Sequence, residues 1–246
     1  MRQDLYQELF QLETRHFWHR TKRALVLDAV GAIERARGGP GRALELGCGA
    51  GRLQEELGGR GWEAWGSDHS PEALAWCRRR GLSRLVQLDA TRPIPADLGR
   101  FDLLLALDLL EHLEDDAGAL AAWRAALAEG GWLLLHVPAH PRLFSYWDEM
   151  VGHKRRYRRR ILLDLFDRNG LELVRLTPTF AWLLPPVAAF RALRRGSDPR
   201  RASSDFQFAP APLNALGTAL GALEARWLRG RDLPFGLSLL ALARAA

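Results

Sequence analysis

The sharpest chemical signal is a glycine loop, Glu45-Leu46-Gly47-Cys48-Gly49-Ala50-Gly51, directly after the short apolar run Ala43–Leu46. Glycine permits positive φ and lets backbone approach a ligand closely. A helix from about Arg52 would present its free N–H groups at the loop, a setting for polar or anionic ligand atoms. A dinucleotide fingerprint reads G-x-G-x-x-G. Its third glycine would fall on Arg52, so the spacing here is G-x-G-x-G. Asp68 ends the next strand, where a carboxylate can accept hydrogen bonds from two ribose hydroxyls. Asp89-Ala90 follows a third strand.

A second constellation is the string PAHPRLFSYWDEMVGHKRRY at 138–157. Phe144, Tyr146 and Trp147 can wall a pocket that excludes water. Asp148, Glu149 and His153 can orient or deprotonate a nucleophile. Arg155, Arg156 and Tyr157 can clamp an anion, which guanidinium does well with phosphate or carboxylate. The competing reading makes Lys154–Arg160 a solvated helix start, with Arg156 and Tyr157 packed on an acidic domain edge. Cys48 and Cys77 read as packed side chains, and Glu111 and Asp115-Asp116 as solvated charges at a helix start. His112 is either a residue beside the reacting centre or a satisfied structural imidazole.

The elements that must position these groups follow from periodicity. Residues 2–37 read as two helices, with Leu5, Leu9 and Leu12 at spacings of 4 and 3 and Leu25, Ala29 and Ile33 at 4, stopped by Gly38-Gly39-Pro40-Gly41. Strands are expected at 43–46, 62–66, 85–88, 101–107 and 132–137, alternating with helices. Ser70-Pro71 marks one helix start, and Gly130-Gly131 ends the helix at 116–128. Five strands alternating with helices imply a parallel, doubly wound α/β sheet. A helix at 158–169, an alternating strand at 171–176 and a last apolar strand at 237–242 complete the chain. The polar segment 196–209 reads as a linker.

The 246 residues include 35 Lys+Arg and 29 Asp+Glu, a formal charge of +6. All but two of the basic residues, Lys22 and Lys154, are arginine. Residues 1–150 carry a net −4 and residues 151–246 a net +10, so the basicity belongs to the C-terminal part. Two cysteines support no multi-disulfide framework, and no Cys/His cluster has zinc spacing, so no metal is expected. The N-terminal stretch lacks a signal-peptide core, and no uncharged run suits a spanning helix. A cytoplasmic protein is expected, with room for peripheral contact at the inner face of a membrane.

Taken with Glu45, the loop resembles motif I, E/D-x-G-x-G-x-G, of the class I S-adenosylmethionine (SAM)-dependent methyltransferases. Asp68, Asp89, Glu111-His112-Leu113 and the Glu129-Gly130-Gly131…Val137-Pro138 block follow in the family's order, over roughly 43–138. The D-E-x-x-G-H-x-R-R-Y string and His16-Phe17-Trp18 resemble a bacterial subset attached to envelope lipid, glycan or quinone pathways. The resemblance implies a Rossmann-like seven-stranded sheet of order 3-2-1-4-5-7-6 with N-terminal helices. Its cofactor is SAM, held by Glu45, Gly47, Cys48, Gly49, Gly51, Asp68, His69, Asp89, Ala90, Leu107 and His112. Asp89 would face the adenine amino group, and the connection after the fifth strand would face the methyl group. His153 and Asp148 become candidate catalytic residues. Phe17, Trp18, Tyr146, Trp147, Arg155, Arg156 and Tyr157 become candidate substrate contacts.

The chain departs from the family at 178–235, a helical insertion where a short hairpin usually joins the last two strands. It combines apolar residues, an Arg cluster at 191–195 and a seam of Leu213, Leu216, Leu220, Leu223 and Trp227. It is expected to be a lid, a contact with anionic lipid or a homodimer contact. Three units follow: a helical cap at 1–40, a SAM-binding domain at 41–177 plus 236–246, and the insertion. No N-P-P-Y follows the fourth strand, which favours oxygen or carbon of a small or lipid-linked acceptor, anionic ones among the candidates, over a nucleobase nitrogen. The alternatives are an RNA methyltransferase and a non-catalytic SAM-binding accessory protein.

Overall fold

The computed structural model describes residues 12–193 and 210–245. The expected helix with Leu5 and Leu9 and the linker at 196–209 fall largely or wholly outside them. The chain runs α1 (Phe17–Arg37), β1 (Arg42–Leu46), α2 (Arg52–Gly59), β2 (Glu63–Asp68), α3 (Pro71–Arg79), β3 (Leu85–Gln87), β4 (Phe101–Leu107), α4 (Asp116–Ala126) and β5 (Leu127–Pro138). It continues through α5 (Tyr146–Val151), α6 (Arg159–Arg168), β6 (Leu171–Thr179), α7 (Leu184–Leu193), α8 (Ala211–Leu228) and β7 (Ser238–Ala245).

One seven-stranded sheet has the order β3-β2-β1-β4-β5-β7-β6, as expected. The first five strands are mutually parallel, and β7 runs antiparallel between β5 and β6. Strand β4 shows why. Leu103 and Leu105 point into one core with Val26, Val30 and Leu134, while Leu104 and Ala106 point into the other with Leu120, Trp123 and Phe166. A strand buried on both faces needs apolar residues at every position and helices on both sides.

Helix boundaries follow local chemistry. Ser70 caps α3 by accepting from the Ala73 N–H, with Pro71 at its first position, and Asp115 caps α4 by accepting from the Gly118 N–H. Helix α1 ends on Gly38 at φ 85°. The expected α4 end at 128 moves to Ala126, because β5 begins at Leu127, paired with Phe101, and absorbs the glycines in a register shift, with Gly130 at φ 67°.

The insertion supplies α7 and α8. Helix α8 does not use its leucine seam to pack. It lays Gly217, Gly221, Ala225 and Leu228 inward, and a Cβ on Gly217 would stand 2.7 Å from the Phe17 ring of α1. Gly221 presses in the same way on Thr21. Small residues let the two helices approach closely. Leu213, Leu216, Leu223 and Trp227 are left exposed on the outer face. Among the described residues no helix is long and apolar enough to cross a membrane.

Candidate active site

Two clusters meet at the carboxyl ends of the strands. The first is the glycine loop. Gly47, Gly49 and Gly51 have φ of 69°, 54° and 77°, conformations that disfavour other residues. Gly51 caps α2 with no side-chain hydrogen bond, so the helix N-terminus is left for a ligand. A Cβ there would also strike Leu82 and the Cys77 Sγ at 2.5 and 2.8 Å. Asp68, nearly buried, ties the loop to β2: its carboxylate accepts the Gly49 N–H (3.1 Å) and the Ser70 N–H (2.9 Å). A carboxylate has about four acceptor sites, so capacity remains for ligand hydroxyls.

Two further carboxylates line this loop. Glu45 is buried, its Oε2 has no hydrogen-bond partner, and burial with Glu13 nearby pushes its pKa well above the carboxylate range. Glu13, in the helical residues 12–15 that precede α1, accepts the Ala50 N–H and lies 3.6 Å from an Arg80 nitrogen. The chain's own carboxylate on the loop shows that this backbone holds such a group. SAM carries a carboxylate, a positive charge and two ribose hydroxyls. A backbone that binds carboxylate, a buried acid with one oxygen left without a hydrogen bond and Asp68 at the β2 end therefore fit it.

The second cluster is acidic and imidazole-rich. Asp108, just past β4 at φ 52°, accepts from Lys22 Nζ at 2.6 Å and meets His136 Nδ1 at 2.6 Å; His136 Nε2 then reaches Thr179 Oγ1 at 3.2 Å. Burial would raise the Asp108 carboxyl, but Lys22 and His136 outweigh it and hold it well below the usual range. Three residues on, Glu111 is fully buried, and neither carboxylate oxygen has a hydrogen-bond partner. Its pKa is pushed well up, by burial first and by Asp108 second. His112 follows, its pKa lowered by burial and by His153.

His153 stands beside them. Its Nδ1 is 3.0 Å from Asp148 Oδ1, its Nε2 3.7 Å from Glu111 Oε1, and its ring lies edge-on to His112 at 4.7 Å. Asp148 is completely buried. It accepts from Arg156 Nε (2.7 Å), Arg191 Nη1 (3.1 Å) and the Ser145 N–H that starts α5 (2.9 Å). Burial opposes its ionisation, but the hydrogen bonds from His153 and Arg156 and the Arg191 charge outweigh that and hold it low. Asp148 thus orients His153 and is shielded from any substrate. Leu109 links the clusters, because a Cβ on Gly47 would touch its Cδ1 at 3.2 Å.

The Cys48 side chain is buried and lies 3.8 Å from the Cys77 Sγ; that contact and burial push its thiol up. Asp89 is exposed at the β3 end and accepts from both the Thr91 N–H and hydroxyl, which keep it below the usual range. His69 is exposed, 3.4 Å from Asp68 Oδ1. The Ala90 carbonyl accepts from Trp123 Nε1. Leu107 is half-buried at the end of β4. Tyr146 and Trp147 are half-buried on α5.

Two expectations need correction. Arg155, Arg156 and Tyr157 form no open anion clamp. Arg155 pairs with Asp116 (2.9 Å), Arg156 is buried on Asp148 and the Ala139 carbonyl, and the buried Tyr157 hydroxyl donates to Asp116 (3.0 Å). Glu111 is not a solvated charge. Phe17 and Trp18 pack on the start of the insertion. Trp18 stacks on Phe180 at 3.9 Å, and Phe17 meets Trp182 at 5.6 Å. Of the apolar seam, Leu213, Leu216, Leu223 and Trp227 are exposed, and Leu220 is half-buried. Sequence reasoning missed Glu13, Lys22, Asp108 and His136. Lys22 carries a signal, as one of two lysines in an arginine-rich chain. The others carry none until the fold closes.

The methyltransferase-domain family matches residues 15–176. The ubiquinone biosynthesis O-methyltransferase of Burkholderia ambifaria is 31% identical over 116 residues, 45% of this chain and 50% of that protein. Its Bordetella pertussis counterpart is 32% identical over 112 residues, 43% and 46% of the two chains. The chain spans about half the length of these curated relatives. The fold is shared with N-methyltransferase NodS from Bradyrhizobium japonicum WM9, solved with S-adenosyl-L-homocysteine (TM-score 0.57, 18% identity, covering 96% and 90% of the two chains). It is also shared with a methyltransferase from Clostridium acetobutylicum ATCC 824 (TM-score 0.60, 13% identity, 98% and 99%). A [4+2]-cyclase, SpnF, has it too (TM-score 0.55, 21% identity, 90% and 80%), so the fold alone does not name a reaction. With the family matched over most of the sheet and its glycine loop and strand-end acids in position, the chain belongs to the methyltransferase-domain family of class I, SAM-dependent enzymes.

Proposed function

We propose that this chain transfers a methyl group from SAM to a hydroxyl oxygen of a small or lipid-linked acceptor. The observation that carries the reading is His153. Asp148 holds its Nδ1, and its Nε2 faces the second cluster beside the glycine loop. A hydroxyl acceptor must lose a proton during transfer, and a positioned imidazole is suited to take it. SAM, when bound, supplies the activated methyl group. Gly47, Gly49, Gly51 and the Cys48 backbone would seat it, with Asp68 and His69 at the ribose hydroxyls, Asp89 and Ala90 at the base, Glu45 near the positive charge, and Leu107 and His112 along the edge. The chain's own contribution is orientation, exclusion of water and the destination of one proton. The names of the matched O-methyltransferases support oxygen as the acceptor atom.

The outer face of α8 favours a lipid-linked acceptor. Leu213, Leu216, Leu223 and Trp227 are each at least half exposed, and the exposed Arg226 and Arg231 stand at the same helix end, Arg231 over the Trp227 ring at 4.7 Å. Apolar side chains beside arginines suit the surface of an anionic membrane. We place the protein in the cytoplasm with reversible contact at the inner membrane face. The RNA reading is weaker, because Arg155, Arg156, Arg159 and Arg175 are engaged with Asp116, Asp148, the Leu176 carbonyl and Asp232.

The test is incubation of methyl-labelled SAM with fractionated cell extract. Label is expected in a lipid or small-molecule fraction as a base-stable ether. Incorporation into RNA, or no incorporation into any fraction, would overturn the reading.

A further inference from the structure

The insertion touches the acceptor side of the site through Arg191. Helix α7 buries none of its residues completely, yet the Arg191 side chain is only 9% exposed. Its Nη1 donates to Asp148 Oδ2 at 3.1 Å and also to the Leu143 carbonyl. Taking a guanidinium out of water is costly unless charge and hydrogen bonds meet it. Here the charge that meets it is the carboxylate that holds His153. We infer that Arg191 is a positioning residue: reaching in from the insertion, it fixes Asp148 and the start of α5, and through them aims the His153 imidazole at the acceptor.

The two oxygens of Asp148 divide the work. Oδ1 meets His153 Nδ1 at 3.0 Å and accepts from Arg156 Nε and Nη2, each at 2.7 Å. Oδ2 accepts from the Ser145 N–H (2.9 Å), the Ser145 hydroxyl (3.2 Å) and Arg191. Ser145, His153 and Arg156 belong to the same stretch as Asp148 and move with it. Arg191 comes from 43 residues further along the chain, so it sets where the carboxylate stands relative to the rest of the fold. Holding the Leu143 carbonyl with the same nitrogen brackets Ser145, the N-cap of α5, from both sides. Tyr146 and Trp147, both candidate acceptor contacts, open that helix and are aligned by the same clamp.

The root of α7 is anchored on α1 and α8. The Phe180 and Ala181 N–H groups donate to the Glu224 carboxylate of α8, Phe180 stacks on Trp18, and Trp182 meets Phe17. Helix α7 thus spans from these helices to Asp148. The catalytic consequence rests on the proposed function. With α7 seated, Nδ1 of His153 is held as the donor to Asp148, which leaves Nε2 to receive the proton of the acceptor hydroxyl as its oxygen takes the methyl group. With Arg191 withdrawn, Asp148 loses a charge partner that fixes it, and the imidazole is free to turn from the acceptor.

The test compares the full-length chain with Arg191→Met, which keeps length and removes charge, with Arg191→Lys, and with Leu193→Ser at an exposed position of the same helix. A single nitrogen of Arg191 makes both of these contacts, so a lysine ammonium can restore them. The first readout needs no acceptor. It is the downfield Nδ1–H proton resonance of His153 in the protein bound to S-adenosyl-L-homocysteine, assigned by its loss in His153→Gln. It is expected in the wild type and in Leu193→Ser, lost in Arg191→Met and recovered in Arg191→Lys. The second is the rate of label transfer from SAM into the lipid or small-molecule extract fraction. Because misplacing a catalytic group by about 1 Å can cost about a hundredfold, Arg191→Met should lose at least about tenfold in rate while SAM affinity by calorimetry stays within about twofold. Arg191→Lys should restore most of that rate, and Leu193→Ser should leave it unchanged. Melting curves check that each variant is folded; should Arg191→Met unfold, Arg191→Gln makes the same comparison. A resonance that survives loss of the charge, or a rate that Arg191→Lys does not restore, would overturn the inference. If the resonance responds as expected and no label enters a hydroxyl, the proposed function falls while the positioning of His153 stands. If label enters a hydroxyl and Arg191→Met transfers at full rate, the reverse holds.

Discussion

The glycine loop and the acid–imidazole cluster lie side by side, yet they are built differently. The loop is local: three positive-φ glycines, a strand end and a helix start, tied by Asp68 across 19 residues of chain. The second cluster is assembled from distant parts. Lys22, Asp108, His136 and Thr179 join α1, β4, β5 and β6, while Glu111, Asp148, His153 and Arg191 join the turn after β4, α5, the turn that follows it and α7. Backbone conformation can be encoded by a few residue types in a row. Buried charge needs partners that only the tertiary fold can deliver, since an unpaired buried ion is strongly destabilising.

That contrast can be broken. Asp68→Ala should have the largest effect, because it releases the loop and removes the ribose acceptor together. Loss of SAM binding by at least about a hundredfold, roughly 2.7 kcal/mol, is expected by calorimetry; binding within threefold of wild type would show that the loop does not depend on this tie. Asp148→Ala should destabilise the fold by about 3–5 kcal/mol in urea unfolding, since Arg156 and Arg191 would keep buried charges without their partner. A cost below about 1 kcal/mol would mean that the acceptor side is also local.

Glu45→Gln sharpens the comparison through pH. The Glu45 pKa is raised in the folded chain, so the native state binds more protons than the unfolded one between the ordinary carboxylate value and the raised one. Stability must therefore fall as pH rises through that window. Glu45→Gln should remove that slope and gain on the order of 1 kcal/mol at neutral pH without SAM, while SAM binding weakens. Melting curves from pH 4 to 8 check it, and an unchanged slope would assign it to another group. The smallest effect belongs to the outer face of α8. Leu216→Glu with Trp227→Glu should change stability by less than about 0.5 kcal/mol per site, yet abolish flotation with phosphatidylglycerol vesicles. Flotation unchanged would remove the membrane surface from the account.

The parts legible beforehand are those with a period or a spacing. The strands and the bounds of the insertion follow from apolar runs and glycine punctuation, the strand order from the family resemblance, and Glu45 to Gly51 and Asp68 from motif spacing. The Arg155-Arg156-Tyr157 string misleads because charge in a sequence looks like a surface, whereas here Arg156 and Tyr157 are drawn into the core by Asp148 and Asp116. Helix α8 misleads in the opposite sense. Its leucine seam has the right period for packing, but Gly217 and Gly221 allow α1 to approach closely, so the small-residue face wins the contact and the leucines turn outward.

By itself, then, the sequence determined a doubly wound α/β sheet and a glycine loop with its strand-end carboxylate, because local backbone preference and hydrophobic period are written in consecutive residues. Tertiary structure alone decided that Glu111 is buried without a hydrogen-bond partner, that Asp148 orients His153, and which face of α8 meets solvent. Burial and charge pairing depend on residues far apart in the chain, and no local pattern records them.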